Sequence, residues 1–199
     1  MANLSATEAV KSALVAYLKA SMPSIKDVFD DFPNGSQNLK YPCATVVTGR
    51  PTYQSIDPYV ISKGAVDSAS RRAPVRRVVG NYEIPMQVDI WSAHKIQRHK
   101  LYEELFAAVN RQVVPMGLSL KMVNYFDQHA HFHITGFDFP DSEEQSQRQE
   151  WRAIVSLTCT VNHVLETSEF LMETIETTVE ADFEMQIPET EEEAPESII

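Results

Sequence analysis

Three histidines at alternate positions, His129, His131 and His133, have the type and spacing of metal ligands. Alternate residues of a strand lie on one face, and the apolar residues between the histidines place them on the polar face. At about 3.3 Å per residue, His129 and His133 are roughly 13 Å apart, too far to share one ion. A histidine pair would need a third ligand, either Asp89 of the predicted neighbouring strand or a residue of another subunit. We therefore predict a polar histidine face that binds no metal.

Other catalytic patterns are weak. The six glycines fall in no phosphate-binding spacing. Cys43 and Cys159 lie inside apolar, strand-like patterns, which predicts two small buried side chains rather than nucleophiles or a disulfide. Ser92 and His94 are placed on one helix rather than on converging elements, so they do not form a nucleophile and base pair. We expect no enzyme activity and no cofactor.

Four arginines within seven residues, Arg71, Arg72, Arg76 and Arg77, surround a proline that discourages a helix. We interpret them as an exposed basic loop inside a long irregular excursion, residues 50–79. Such a loop is either solvated or binds an anionic partner, which is nucleic acid or an acidic protein surface.

The net charge of −11 is concentrated at one end of the chain. Residues 165–199 contain eleven Glu and one Asp with no Lys or Arg, which leaves +1 for residues 1–164. An acidic surface of this size favours contact with a basic one. The arginine loop and the acidic residues after 164 are therefore expected to meet between subunits.

Part of this acidic region has a strand pattern. Residues 175–187 alternate apolar and polar side chains, which predicts a strand with one apolar and one acidic face. It pairs either with its own sheet or, in the version that we favour, with a neighbouring subunit. Residues 188–199 are rich in Glu and Pro and are predicted to be disordered. The candidate interface residues of the strand are Ile175, Glu176, Val179, Glu180, Phe183, Glu184 and Ile187.

The remaining patterns give an α+β fold. Ser5 and Glu8 form a capping box that begins a helix over residues 5–21. Residues 25–32 are predicted to add a short turn of helix. An alternating strand over 82–91 leads directly into a helix over 92–113, and one further strand is predicted around 118–135. With further strands the pattern predicts a mainly antiparallel sheet of about four or five strands, covered on one face by two helices. The predicted units are a domain over 1–164 with its loop at 50–79, a strand-like acidic arm over 165–187, and a tail over 188–199.

The order of these patterns resembles the tail terminator and tail-completion proteins of the neck of tailed bacteriophages. The relevant stretches are the N-terminal helix, Phe32-Pro33 followed by Tyr41-PCATV, the strand ending in QVDIW that runs into HKIQRHKLYEELFAAVN, and the late strand RAIVSLTCTV. The resemblance covers residues 5–164, and it includes no catalytic motif to carry over. The loop at 50–79 and the acidic extension depart from the pattern.

The resemblance implies a structural virion protein. It would form a homo-oligomeric ring, expected to be a hexamer, at the head-proximal end of the tail, where it stops tube or sheath growth and presents a surface to the head-side connector. DNA would only pass through the lumen, and assembly would take place in the cytoplasm of the bacterial host. No membrane contact is expected, because Lys11 interrupts the first apolar pattern. The alternatives are another neck or head-completion connector, or a nucleic-acid or small-molecule binding module that uses the Arg71–Arg77 loop.

Overall fold

The computed structural model describes residues 5–32, 40–67, 69–109, 117–140 and 150–170. These residues form two helices and one seven-stranded sheet. The helices are α1 (Ala6–Ser21) and α2 (Lys95–Val109). The strands are β1 (Asp27–Phe29), β2 (Cys43–Thr48), β3 (Thr52–Lys63), β4 (Arg72–Ser92), β5 (Leu118–Met122), β6 (Gln128–Asp138) and β7 (Trp151–Phe170).

Helix α1 begins where the capping box predicted it. The Ser5 side chain accepts a hydrogen bond from the Glu8 backbone N–H, and the Glu8 carboxylate accepts one from the Ser5 backbone N–H. Val10, Leu14 and Leu18 are fully buried on the face that contacts the sheet. Neither of the two described helices is long and apolar enough to cross a membrane.

The sheet is built on its two longest strands, β4 and β7, which pair antiparallel over about twenty residues. The order across the sheet is β1-β2-β4-β7-β6-β5, and β3 pairs with the half of β4 that β2 does not reach. Only β1 and β2 run parallel. The predicted apolar face of β4, from Ile84 to Ile90 at alternate positions, packs with the helices in one core. The α+β class and the two helices are confirmed.

The predicted count of four or five strands is wrong, for three local reasons. Residues 27–29, interpreted as part of a helical turn, form β1 beside β2. The single strand expected around 118–135 is two strands, because Phe126 and Asp127 adopt positive φ and reverse the chain without a glycine. The loop predicted over 50–79 is largely the β3–β4 hairpin.

The predicted boundary at residue 164 falls inside β7. Residues 165–170 continue that strand and pair with Arg72–Arg77 of β4, so the first part of the predicted acidic arm belongs to its own sheet. The remainder of that arm and the predicted disordered tail, residues 171–199, lie outside the described residues.

Candidate interaction surface

One end of the sheet extends beyond the core as a three-stranded β-finger, formed by β3, residues 72–83 of β4 and residues 162–170 of β7. The pairing of β2 with β4 stops at Met86, and the pairing of β6 with β7 stops at Val161. No residue of β3 belongs to the hydrophobic core cluster. Val161 pairs with Tyr82 of β4, so the ten residues 72–81 lie beyond the last pair of β6 with β7 and extend roughly 33 Å.

Strand β3 is the exposed edge of the β-finger. Among the described strands it pairs with β4 alone, and eleven of its twelve residues are exposed. Its exposed apolar side chains lie on both faces, since Tyr59 is aligned with Val78 and Val60 with Arg77. Tyr59 is 49% exposed and Val60 42%. An apolar edge of this length is a surface for pairing with another chain.

The four arginines do not form one loop. Arg76 and Arg77 lie within β4, and each binds a carboxylate of β7 in the same chain. The Arg76 Nε atom lies 2.6 Å from Glu166 Oε2, and its guanidinium lies over the Phe126 ring. Arg77 makes a two-pronged contact with the carboxylate of Glu169. The loop prediction failed because β3 supplies a second strand that holds this segment extended.

Arg71 and Arg72 form the tip of the β-finger. Arg71 has a positive φ of 53° at the reversal between the strands, and Asp67 closes that reversal by accepting hydrogen bonds from the Ser70 hydroxyl and backbone. Both arginines are exposed. Within the described parts of the chain neither side chain has an ion-pair partner, so the tip is a small basic surface.

The base of the β-finger is fixed by an aromatic cluster over a β-bulge. Residue 79 is the extra residue of β4, because Val78 pairs with Val164 and Gly80 with His163. The Tyr53 ring lies over Gly80, where an added Cβ would be 2.4 Å from the ring. The Tyr53 hydroxyl donates to the Val79 carbonyl at 3.1 Å, and its ring contacts Tyr82 and His163. These contacts hold the three strands together at the base of the β-finger.

The outer edge of β7 is partly closed. The backbone N–H of Val164 donates to the Tyr125 hydroxyl at 3.5 Å, and Tyr125 itself is only 5% exposed. Burial raises the pKa of Tyr125, so the hydroxyl stays protonated at neutral pH. A strand added at Val164 would have to displace this hydroxyl, whereas residues 165–170 of β7 have no such contact among the described residues.

The histidine face lies where the sequence predicted it. His129, His131 and His133 are exposed, and the intervening Ala130 and Phe132 are fully buried. Among the described residues no group of three His, Cys, Asp or Glu side chains could hold a metal ion. The proposed third ligand, Asp89, is excluded because β7 lies between β4 and β6, so that β4 is not the neighbouring strand. That the protein binds no metal stays a prediction.

Asp89 instead forms a buried ion pair that the sequence reasoning missed. Its carboxylate is fully buried and lies 2.7 Å from Arg152 Nη2, and it also accepts a hydrogen bond from Gln87. The Arg152 guanidinium lies over the Trp91 ring at 5.0 Å and over the Phe32 ring at 5.7 Å. The signal was present in the sequence, since Asp89 and Arg152 each stand between two apolar residues of an alternating strand pattern.

The two cysteines are buried and free. Burial raises the pKa of Cys43 to about 11 and that of Cys159 to about 12, so both are neutral thiols at physiological pH. A nucleophilic cysteine needs the opposite shift.

No known protein family matches the sequence, and no curated protein matches it. One solved structure with a similar course of the chain is the sheath/tube terminator of an extracellular contractile injection system, PVC, determined by cryo-EM in the extended state. The two share 16% sequence identity with a TM-score of 0.44, over 90% of this chain. This chain spans 65% of the length of that terminator.

Proposed function

We propose that this chain is a structural protein of a phage-type tail, and that it assembles into a closed ring that ends tube or sheath growth. The observation that carries the proposal is the β-finger: a defined, anchored extension whose outer strand exposes apolar side chains on both faces. Soluble chains that remain monomeric shield such edges. A β-finger that contacts a different surface of the next copy makes a head-to-tail interface, and such an interface gives a ring when the rotation between copies closes.

The resemblance of residues 5–164 to tail terminators supplies the rest of the proposal. It implies six copies, a position at the head-proximal end of the tail, contacts with tube or sheath below, and contacts with the head connector above. The protein would then be part of the virion and would be assembled in the host cytoplasm, with DNA passing through the lumen.

We infer that the protein is not an enzyme. The proposal uses no reacting group, and the candidate nucleophiles among the described residues are neutral, buried thiols. The alternative of a nucleic-acid module loses support from the geometry, because Arg76 and Arg77 are engaged with Glu166 and Glu169. Two arginines at the tip are a small surface for a phosphate backbone.

The oligomer tests the role of the β-finger directly. Light scattering after size exclusion is expected to show one discrete oligomer for the full chain. The variant Tyr59→Ser/Ile61→Ser is expected to show a lower mass, because both side chains lie on the exposed edge. The matched control, Ile96→Ser/Val123→Ser, changes two apolar side chains that are each 73% exposed but lie outside the β-finger. Equal masses for both variants would show that the β-finger is not the interface.

The biological role is tested in the particle. Loss of the protein is expected to give tails of uncontrolled length, or tails without heads, by electron microscopy. Normal particles would refute the terminator role. Normal tail length with unjoined heads would instead favour another neck connector.

A further inference from the structure

Resting on the ring proposed above, we propose that residues 175–187 of one copy, called here the acidic segment, add as a strand to the free edge of β3 in the next copy. The partner is thus a second copy of this chain, and the contact is strand addition. Each copy would donate one strand and accept one. Such an exchange is compatible with the proposed ring, because a head-to-tail contact repeated around an axis closes when the rotation between copies allows it.

Length and pattern match between donor and acceptor. Strand β3 has 12 residues, and the acidic segment has 13 residues of strict alternation. Both are roughly 40 Å long when extended. Pro58 lies between Ser55 and Tyr59, where the register of β3 is already irregular, so the missing N–H falls at a break rather than within a regular run.

The β-finger has two outer edges in its described residues. On the β7 side the Val164 N–H is bonded to the hydroxyl of buried Tyr125, which leaves only residues 165–170 beyond that contact, whereas β3 has twelve residues. No described strand pairs with the outer side of β3. A strand donated to the β-finger therefore meets least obstruction at β3.

Charge favours the same pairing. The acidic segment carries Glu176, Glu180, Asp182 and Glu184. Around the free end of β3 lie three exposed cations, Lys63, Arg71 and Arg72, without an ion-pair partner in the described part of the chain, and one carboxylate, Asp67, which is hydrogen-bonded to Ser70. Opposite fields at these two surfaces would select the register and speed association more than they would add affinity.

The position of the chain end favours a second copy over the same chain. Strand β7 ends at Phe170, directly opposite Arg72 at the tip. A strand beyond β3 lies three strand spacings away from β7, or about 14 Å. The five steps from residue 170 to residue 175 span at most about 17 Å, so a link within one chain would be nearly fully extended across the sheet. A neighbouring copy imposes no such constraint.

Cross-linking between two differently tagged full-length chains tests the proposal. One chain carries Ser62→Cys, near the tip end of β3, and the other carries Thr177→Cys, near the start of the acidic segment. After coexpression, a short bifunctional maleimide is expected to join the two tags. The matched control replaces Ser62→Cys with Lys121→Cys, which is exposed on the opposite edge strand, β5. Wild-type chains measure the background from the buried native thiols.

A pair of prolines supplies the second measurement. Thr178→Pro/Val179→Pro removes two successive N–H donors, one of which must face the acceptor strand, and is expected to lower the yield of a Ser62–Thr177 cross-link about tenfold. Thr190→Pro/Glu191→Pro, outside the acidic segment, is the control and is expected to change nothing.

The outcomes of these experiments distinguish strand donation from ring formation. A discrete oligomer with no cross-link above the Lys121 control overturns strand donation and leaves the ring intact. Cross-links only within one chain, seen when Ser62→Cys and Thr177→Cys are combined, overturn donation between copies. A monomer by light scattering overturns both.

Discussion

Two pairs of arginines in the β-finger allow the stability of the single chain to be tested separately from assembly of the oligomer. Arg71→Glu/Arg72→Glu changes the tip, and Arg76→Glu/Arg77→Glu changes the strand, with the same change in net charge. We predict that the tip variant keeps the stability of the chain and loses assembly. The strand variant is predicted to lose stability, because its arginines are bound within the same chain.

The magnitudes follow from exposure. The side chains of Arg76 and Glu166 are 40% and 41% exposed, and those of Arg77 and Glu169 are 36% and 28% exposed. Solvent therefore screens both pairs, and each contributes about 0–1 kcal/mol. Reversal adds a like-charge contact of similar size at each position. The strand variant should lose about 1–3 kcal/mol of unfolding free energy, and the tip variant less than about 0.5 kcal/mol.

Backbone strain at Arg71 does not affect the comparison between the tip variant and the strand variant. Arg71 has a positive φ, but Arg and Glu carry a similar penalty there, so the strain largely cancels between the wild type and the tip variant. Urea denaturation of dissociated protein measures stability. Light scattering at low salt and near 1 M salt, where the Debye length is about 3 Å, measures assembly. High salt should reproduce the assembly defect of the tip variant in the wild-type protein.

Changing all four arginines together should combine the two defects while the chain still folds. A tip variant that assembles like wild type at low salt would show that Arg71 and Arg72 face solvent rather than a partner. A tip variant that loses as much unfolding free energy as the strand variant would refute the separation of roles.

Three further predictions concern the body of the sheet. Arg152→Ala should lower the unfolding free energy by about 3–5 kcal/mol in urea denaturation, because it leaves the charge of the fully buried Asp89 carboxylate unpaired. Asp89→Ala should cost less, because the Arg152 side chain is 23% exposed and reaches water. Equal losses for the two variants would contradict this reasoning. Gly80→Ala should cost about 1–3 kcal/mol by displacing the Tyr53 ring, and clearly less in a Tyr53→Ala background; the same cost in both would exclude that clash. Replacing His129, His131 and His133 together by Gln should leave both the unfolding midpoint and the metal content unchanged, and stoichiometric zinc lost on substitution would show a metal site.

The elements that could be predicted from sequence are those with one buried face. Helix α1 and the part of β4 from Ile84 to Ile90 repeat apolar, buried side chains at a helical and a strand period respectively, so their sequence patterns indicated the correct element. Strand β3 is exposed on both faces and therefore has no burial pattern to detect. The turn between β5 and β6 was missed because Phe126 and Asp127 adopt positive φ although neither is glycine.

The interaction surface was predicted in part, for a related reason. The pattern of β4 assigned Asp89 to the face opposite the core, which is correct, but periodicity does not say whether another side chain covers that face. Arg152 covers it here, between the rings of Trp91 and Phe32. The arginine cluster was recognised from composition. Its division into a bound pair and an exposed pair depends on the partner strand β7, which lies about ninety residues away.

The pairing of Arg76 and Arg77 within the chain also changes which acidic residues remain without a basic partner. The acidic arm was predicted to need a basic partner, and the structure supplies one for its first two carboxylates, Glu166 and Glu169, within the same chain. Residues 171–199 still carry nine Glu and one Asp with no Lys or Arg. The exposed cations at the β-finger tip are too few to neutralise them within one subunit. In the proposed ring, the tip of each copy would lie in the field of its neighbour's acidic segment, so assembly should weaken with salt even if strand pairing supplies most of the affinity.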